Sequence, residues 1–176
     1  MAATGIPAQG SEAQFSGLLA RHMGIVRKVA TTYCRDADDR ADLAQEIAAR
    51  LWQSWPRYDH ARPFSTWMYR VALNVAMSHV RGVYKRGRHH VPLDSGHEEI
   101  ADTPVDHETN QLLATISGLI EGLDGMNRAL LLLYLEDRSH REIADILGIS
   151  ESNVGTKISR LKERLRAQLR ASKGQK

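Results

Sequence analysis

A chain of 176 residues has room for one domain or two small ones, and 42% hydrophobic with 26% charged residues is the balance of a globular protein in water. Net charge is only +3 while the pI is about 9.2, so where the charges lie matters more than their sum. A single cysteine, Cys34, excludes an intrachain disulfide and suits a reducing compartment, no apolar run approaches the roughly twenty residues of a membrane span, and MAATGIPAQGSEAQ has neither the basic start nor the apolar centre of a signal peptide. A cytoplasmic protein without membrane insertion is expected.

Residues 1–10 read as a disordered tail. A first helix is predicted from near Ser11, because Phe15, Leu18, Leu19, His22, Val26, Val29 and Tyr33 fall on one stripe. His22, set among apolar neighbours, reads as a core or boundary histidine, and Cys34 as a small packed residue. CRDADDRAD is a polar break whose aspartates suit a helix's first turn. The second helix, about Asp38 to Ser54, buries Leu43, Ile47, Leu51 and Trp55. Asp42, Gln45, Glu46, Ala49 and Gln53 line a different face, which is either a solvated side or a docking surface.

WPRYDHARPF, punctuated by Pro56 and Pro63, is a loop. A long helix then runs from Phe64 to Lys85, with Phe64, Trp67, Met68, Val71, Ala72 and Val75 as a wide core stripe. Thr66, Arg70, Asn74, Arg81 and Lys85 form a polar and basic edge. Six of the ten aromatics (Trp52, Trp55, Tyr58, Phe64, Trp67, Tyr69) crowd this region. The core explains Phe64 and Met68, but leaves Arg57, Tyr58, Arg62, Tyr69 and Arg70 over. Rings beside cations suit single-stranded nucleic acid, since bases stack on the rings while cations track phosphates.

From Arg86 to about Asp106 periodicity vanishes in a Gly-, Pro- and charge-bearing stretch, a linker between helical modules. His89, His90, His97 and His107 lack the paired spacing of structural zinc ligands, so no metal is expected. Helical pattern resumes with Leu112, Leu113, Ile116, Leu119, Ile120 and Leu123. MNRALLLLYLED follows Asp124-Gly125 and is apolar almost all round, hence either central to the second module or covered by another protein.

Ser139 with Glu142 three residues later is a capping box, and Ile143, Ala144, Ile146 and Leu147 form a short apolar face. Gly148 ends that helix and Ser150 starts the next, which buries Val154, Ile158, Leu161 and Leu165. Ser152, Asn153, Thr156, Lys157 and Arg160 lie on its other side. An ordinary helical hairpin is the plain reading; a short Gly turn and a polar, basic second helix describe a helix-turn-helix. The chain ends on Lys162, Arg164, Arg166, Arg170 and Lys173, a charge placed to meet a phosphate backbone. The expected fold is all-α: two small helical domains joined by a flexible linker, the C-terminal one containing a helix-turn-helix.

DLAQEIAARLW with RPFSTWMYRVALNVA, followed by REIADILGISESNVGTKISRLKERL, resembles bacterial RNA-polymerase sigma factors of the short extracytoplasmic-function (ECF) group. The resemblance spans roughly Phe15 to Leu169. It implies sigma region 2 over 11–86, a linker over 87–107, and sigma region 4 over 108–176. It further implies that Asp42, Gln45, Glu46 and Arg50 meet the clamp helices of the polymerase largest subunit, and that Leu131, Leu132 and Leu135 meet the flap of the second-largest. The loop Arg57, Tyr58, Asp59, His60 and Arg62 corresponds to the part that captures a flipped base of the minus-ten element. Thr66, Trp67, Arg70 and Asn74 would hold the separated strand beside it. Arg141, Ser152, Asn153, Thr156, Lys157 and Arg160 correspond to readers of the minus-thirty-five element. Many members carry G-T-V-x-S-R in the recognition helix where this chain has SNVGTKISR, which makes single base contacts hard to transfer.

The implied function is transcription initiation: binding core polymerase, directing it to promoters and assisting their opening, with an anti-sigma protein as a further partner. No catalysis, cofactor or metal is required. A polymerase-independent helix-turn-helix regulator is the alternative, and it leaves the aromatic-rich first module without a task. An enzyme would need a nucleophile-base pair, phosphate loop or ligand cluster, and the sequence offers none.

Overall fold

The computed structural model describes residues 9–85, 116–120 and 122–173, all of whose regular structure is helical. The tail up to residue 8, the linker and its four histidines, and the predicted helical residues Leu112 and Leu113 lie outside the described residues.

The first helix, α1 (Gln9–Tyr33), starts slightly earlier than expected and buries Phe15, Ile25, Val26, Val29, Ala30 and Tyr33. His22 is half-buried at its boundary, its Nδ1 2.9 Å from the Leu18 carbonyl and its ring 5.2 Å from that of Phe64. Asp36 stops the chain and restarts it: its Oδ1 accepts from the backbone N–H groups of Asp38 (2.8 Å) and Asp39 (3.1 Å), donors that have no partner inside a helix. The helix it caps, α2 (Ala37–Ser54), buries Leu43, Ile47 and Leu51 as the spacing requires. A single 3-10 turn, Trp55–Arg57, follows with Pro56 in its opening, where a missing N–H costs nothing.

α3 (Phe64–Lys85) has the bounds the sequence predicts but a wider buried arc. Phe64, Met68, Ala72 and Val75 are buried as expected, whereas Trp67 and Val71 are only partly covered, and Tyr69, Leu73 and Ala76 join the core. A helix packed on one side shows one stripe; α3 is packed by α1 and α2 and also by the C-terminal helices.

In the second module, residues 116–120 are helical. Asp124 then caps α4 (Gly125–Leu135) by accepting from the Asn127 N–H at 3.0 Å. Of the apolar run, Ala129, Leu130 and Leu133 are buried and Leu131 and Leu132 half-buried. Arg128 is buried with them; its Nε donates to the Leu123 carbonyl at 3.0 Å and its guanidinium lies 5.9 Å from the centre of the Tyr33 ring. α5 (His140–Leu147) and α6 (Glu151–Lys173) complete the chain, with Ile143, Ile146, Val154, Ile158 and Leu161 between them.

The two modules touch. α4 packs on α1 and α3, and α5 on α3. The Tyr33 hydroxyl donates to the Gly125 carbonyl at 2.5 Å, and Lys28 Nζ lies 2.7 Å from both carboxylate oxygens of Glu136. Tyr69, 1% exposed, sits beneath the second module with its hydroxyl 3.4 Å from Glu136 and its ring 5.4 Å from the Arg138 guanidinium. Gly125 permits the approach: a Cβ there would stand 3.2 Å from Met77 Cγ and 3.7 Å from a Tyr33 ring carbon.

Candidate functional site

Turning Leu43, Ile47 and Leu51 inward places Asp42, Gln45, Glu46 and Arg50 together on the outer face of α2, and all four are exposed. Arg50 Nη1 donates to Gln53 Oε1 at 3.4 Å, and Glu46 Oε2 lies 3.4 Å from His79 Nδ1 on α3. These contacts are long and solvated, so they hold the stripe loosely and cost little to exchange for a partner's groups.

The loop after α2 is built on rings. Tyr58 stacks on Trp55 (centroids 5.3 Å apart, planes 18°), lies 5.0 Å from Trp67, and meets His60 edge-on at 4.7 Å. Phe15 extends the cluster to Trp52 and Trp55 at 5.1 and 5.4 Å. The Tyr58 hydroxyl donates to the Arg62 carbonyl at 2.6 Å, while Asp59 Oδ1 accepts from the Ala61 N–H at 3.0 Å and the Asp59 carbonyl from Arg62 N–H at 3.0 Å. The loop is thus closed on itself by an aspartate-led turn and a tyrosine strut. Burial, with Asp59 second, raises the Tyr58 phenol above its ordinary value and keeps it neutral.

The structure therefore divides the predicted loop residues. Arg57, Asp59, His60 and Arg62 are exposed, as are Arg70 and Asn74 along α3, with Thr66 half-buried beside them. Tyr58 and Trp67 are half-buried in the ring cluster, their faces spent on neighbours. Tyr69, left over by the core stripe and grouped with rings available to bases, is instead 1% exposed and lies against Glu136 and Arg138 in the turn between α4 and α5.

The helix-turn-helix forms from local chemistry. Ser139 Oγ accepts from the Glu142 N–H (3.2 Å) and Glu142 Oε2 accepts from the Ser139 N–H (2.9 Å). Hydrogen bonding from the Ser139 backbone, then its hydroxyl, then Arg138 holds the Glu142 carboxyl below its ordinary value. Gly148 takes φ 69°, closing α5 with its N–H on the Ala144 carbonyl. Ser150 Oγ accepts from Asn153 N–H at 3.3 Å and opens α6. Val154 is fully buried, which directs Gly155 toward His140 and turns Thr156 outward. Arg141, Ser152, Asn153, Thr156 and Arg160 are exposed and Lys157 half-buried; the Thr156 hydroxyl donates back to the Ser152 carbonyl at 3.1 Å. Arg164, Arg166 and Arg170 continue the exposed basic face, while Lys162 stands 4.2 Å over the Tyr134 ring. On α4, Leu135 is 67% exposed and Tyr134 37%, next to half-buried Leu131 and Leu132.

Sequence reasoning missed the residues that join the modules: Lys28, Tyr33, Glu136 and Arg138. Tyr69 carried a signal, as a large aromatic outside the predicted stripe of α3. The charged residues carried none, because their partners lie far away in the chain.

Residues 18–86 match the family model for Sigma-70 region 2, and residues 115–165 match that for Sigma-70, region 4. The chain is 28% identical to the ECF RNA polymerase sigma factor SigW of Bacillus subtilis over 92% of both chains. It is 27% identical to the RNA polymerase sigma factor CnrH of Cupriavidus metallidurans, over 93% of this chain and 91% of that one. CnrH solved in complex with the cytosolic domain of CnrY superimposes with a TM-score of 0.65 over 91% of this chain and 90% of that one, at 25% identity. At 18% identity, the sigma factor RpoE in complex with the anti-sigma factor NepR from Bartonella quintana shares the fold, with a TM-score of 0.67 over 89% of this chain and 97% of that one. Two sigma regions in the expected order, full-length relatives and a shared fold agree: the chain belongs to the extracytoplasmic-function group of bacterial RNA-polymerase sigma factors.

Proposed function

We propose that the chain binds core RNA polymerase, brings it to promoters that carry a matching minus-ten and minus-thirty-five element, and assists strand opening. Residues 11–86 act as region 2 and 108–176 as region 4, with 87–107 between them. One observation carries this reading: the α2 stripe Asp42, Gln45, Glu46 and Arg50, the pre-shaped loop Arg57 to Arg62 and the outer face of α6 are all exposed on one folded chain. Each surface suits its task. The α2 stripe is a solvated patch of mixed charge for the clamp of the largest subunit, and Leu131, Leu132 and Leu135 give an apolar contact for the flap of the second-largest.

The loop meets a base pulled from the stack. Flipping costs a few kcal/mol, and a pocket already folded by Tyr58 and Asp59 spends little further on ordering itself. Arg57, His60 and Arg62 line its exposed side, and Thr66, Arg70 and Asn74 lead the strand away. Arg141, Ser152, Asn153, Thr156, Lys157 and Arg160 face the upstream major groove. No covalent bond of DNA or nucleotide is made or broken by this chain, since binding energy opens the duplex and the polymerase performs synthesis. The protein works where polymerase works, in the cytoplasm. An anti-sigma protein is the further partner, as the anti-sigma factor NepR is for RpoE.

The test combines the protein with core polymerase and a promoter library, reading co-purification, transcript start and strand opening. Gln45→Ala with Glu46→Ala, both exposed, is expected to weaken polymerase binding about tenfold with unchanged helicity, the loss typical of a few interfacial polar contacts. Unchanged affinity removes the α2 stripe from the polymerase contact. Equal use of intact and scrambled upstream elements removes base reading from α6.

A further inference from the structure

We propose that Asp137 is a further polymerase-binding residue. The apolar contact at the end of α4 continues around the turn onto this carboxylate, which receives a basic side chain of the flap. This rests on the flap contact proposed above for Leu131, Leu132 and Leu135.

α4 closes by folding its chain back on its last turn: the Asp137 N–H donates to the Tyr134 carbonyl at 3.2 Å and the Arg138 N–H to the Leu133 carbonyl at 3.1 Å. That closure puts residue 137 in the left-handed region, which glycine fills most cheaply. Asp137 stands there at φ 52°, and no other non-glycine residue among those described has a positive φ. Its carboxylate returns nothing to the fold. It is exposed and makes no hydrogen bond or ion pair with any described residue. Nor does it serve a helix end. It follows the C-terminus of α4, where the helix dipole disfavours an acid, while the start of α5 is already capped by Ser139 and Glu142. A side chain that strains the backbone and bonds nothing within the fold has its partner outside it.

The surroundings indicate which partner. Asp137 lines a hollow of about 280 Å³ with Tyr134, Leu135, Arg138, Ser139 and His140. Leu135 is 67% exposed and Tyr134 37%, so the hollow is continuous with the apolar patch assigned to the flap. The neighbouring charges already have partners. Arg138 Nη1 lies 3.0 Å from Glu142, Lys28 Nζ lies 2.7 Å from Glu136, and Lys162 stands 4.2 Å over the Tyr134 ring. What remains beside Leu135 is a carboxylate without a counter-ion. An apolar anchor with an unpaired acid at its rim fits a segment that presents an apolar side chain next to a lysine or arginine.

The test titrates the full chain against core polymerase in low and in high salt, beside thermal unfolding of the free protein. Asp137→Asn removes the charge and keeps a residue that tolerates the left-handed region, Asp137→Gly removes both charge and strain, and Leu135→Ala reports on the flap contact itself. Both Asp137 variants are expected to bind polymerase about two- to fivefold more weakly in low salt, the range of an ion pair at an interface rim. The loss should shrink in high salt. Asp137→Gly should also raise the unfolding midpoint by about 1–3 °C, so that the more stable protein binds less well. If both variants bind as the wild type does, Asp137 is a turn residue and the proposal fails. If Asp137→Gly loses affinity and Asp137→Asn does not, the loss comes from the backbone and the carboxylate has no partner on the polymerase. A lowered midpoint for Asp137→Gly would show that the carboxylate serves the fold, and the need for an outside partner disappears. The underlying reading fails differently: Leu135→Ala without effect takes the flap away from α4, and a wild type that does not bind polymerase sinks the proposed function.

Discussion

Tyr58 carries the loop on one phenol, because its ring is clamped between Trp55 and Trp67 while its hydroxyl ties the chain at Arg62. The ring and the hydroxyl can be separated by Tyr58→Phe, which keeps the stack and removes the tie. One hydrogen bond of this kind is worth about 1 kcal/mol, so the variant is expected to fold and to lose about that much stability. Its larger effect is expected in promoter opening, slowed about fivefold with polymerase binding unchanged, because a loosened loop must be ordered while it captures a base. Opening kinetics beside a binding titration checks this. Parallel losses in both would mean that Tyr58 supports the whole module and not the loop. At this scale the sequence was informative about chemistry and silent about accessibility. It left Tyr58 and Tyr69 alike as rings near cations and counted Trp67 in the core stripe, and only packing told apart Tyr58, which shapes the loop with Trp67, from Tyr69, buried elsewhere.

Among the elements, α5 with its flanking turns depends most on local chemistry. Its start rests on Ser139 and Glu142 and its end on Gly148 at positive φ. Ser139→Ala is expected to cost about 1 kcal/mol and Gly148→Ala a similar amount, about 1 kcal/mol, through the left-handed backbone; thermal unfolding followed by circular dichroism measures both. The capping box also has a pH signature. Glu142 is held below the ordinary carboxylate value near 4.5, so its stabilisation is present above that value and fades as pH falls through the lower folded one. Glu142→Gln should flatten that part of the acid profile. Such features were legible beforehand because a cap, a glycine and a stripe are all written within a few neighbouring residues. The helix bounds of α3 and the inward stripe of α2 were readable for the same reason. The extra arc of α3 was not, since periodicity reports that a helix is buried on a side but not how many bodies bury it.

Over the whole molecule, two of the five tyrosines stand at the seam between the modules. Burial raises the Tyr33 phenol well above its ordinary value, and burial together with Glu136 raises that of Tyr69. A neutral acid whose folded value is raised stabilises the packed seam below the ordinary tyrosine value near 10 and ceases to do so as pH climbs beyond it. An alkaline titration followed by ultraviolet difference absorbance should thus show late-ionising phenols in the wild type. Lys28→Glu should move part of that absorbance back toward the ordinary range, and identical curves would place the protection of both rings within the first module alone. No pattern in the sequence announced this seam, because Lys28 and Glu136 lie on elements that meet only after both modules have folded. Its consequence is practical: the chain carries its own dye. Without any attached label, the late ionisation of two native phenols reports, in an alkaline titration of the isolated chain, how far a substitution or added salt has loosened the seam.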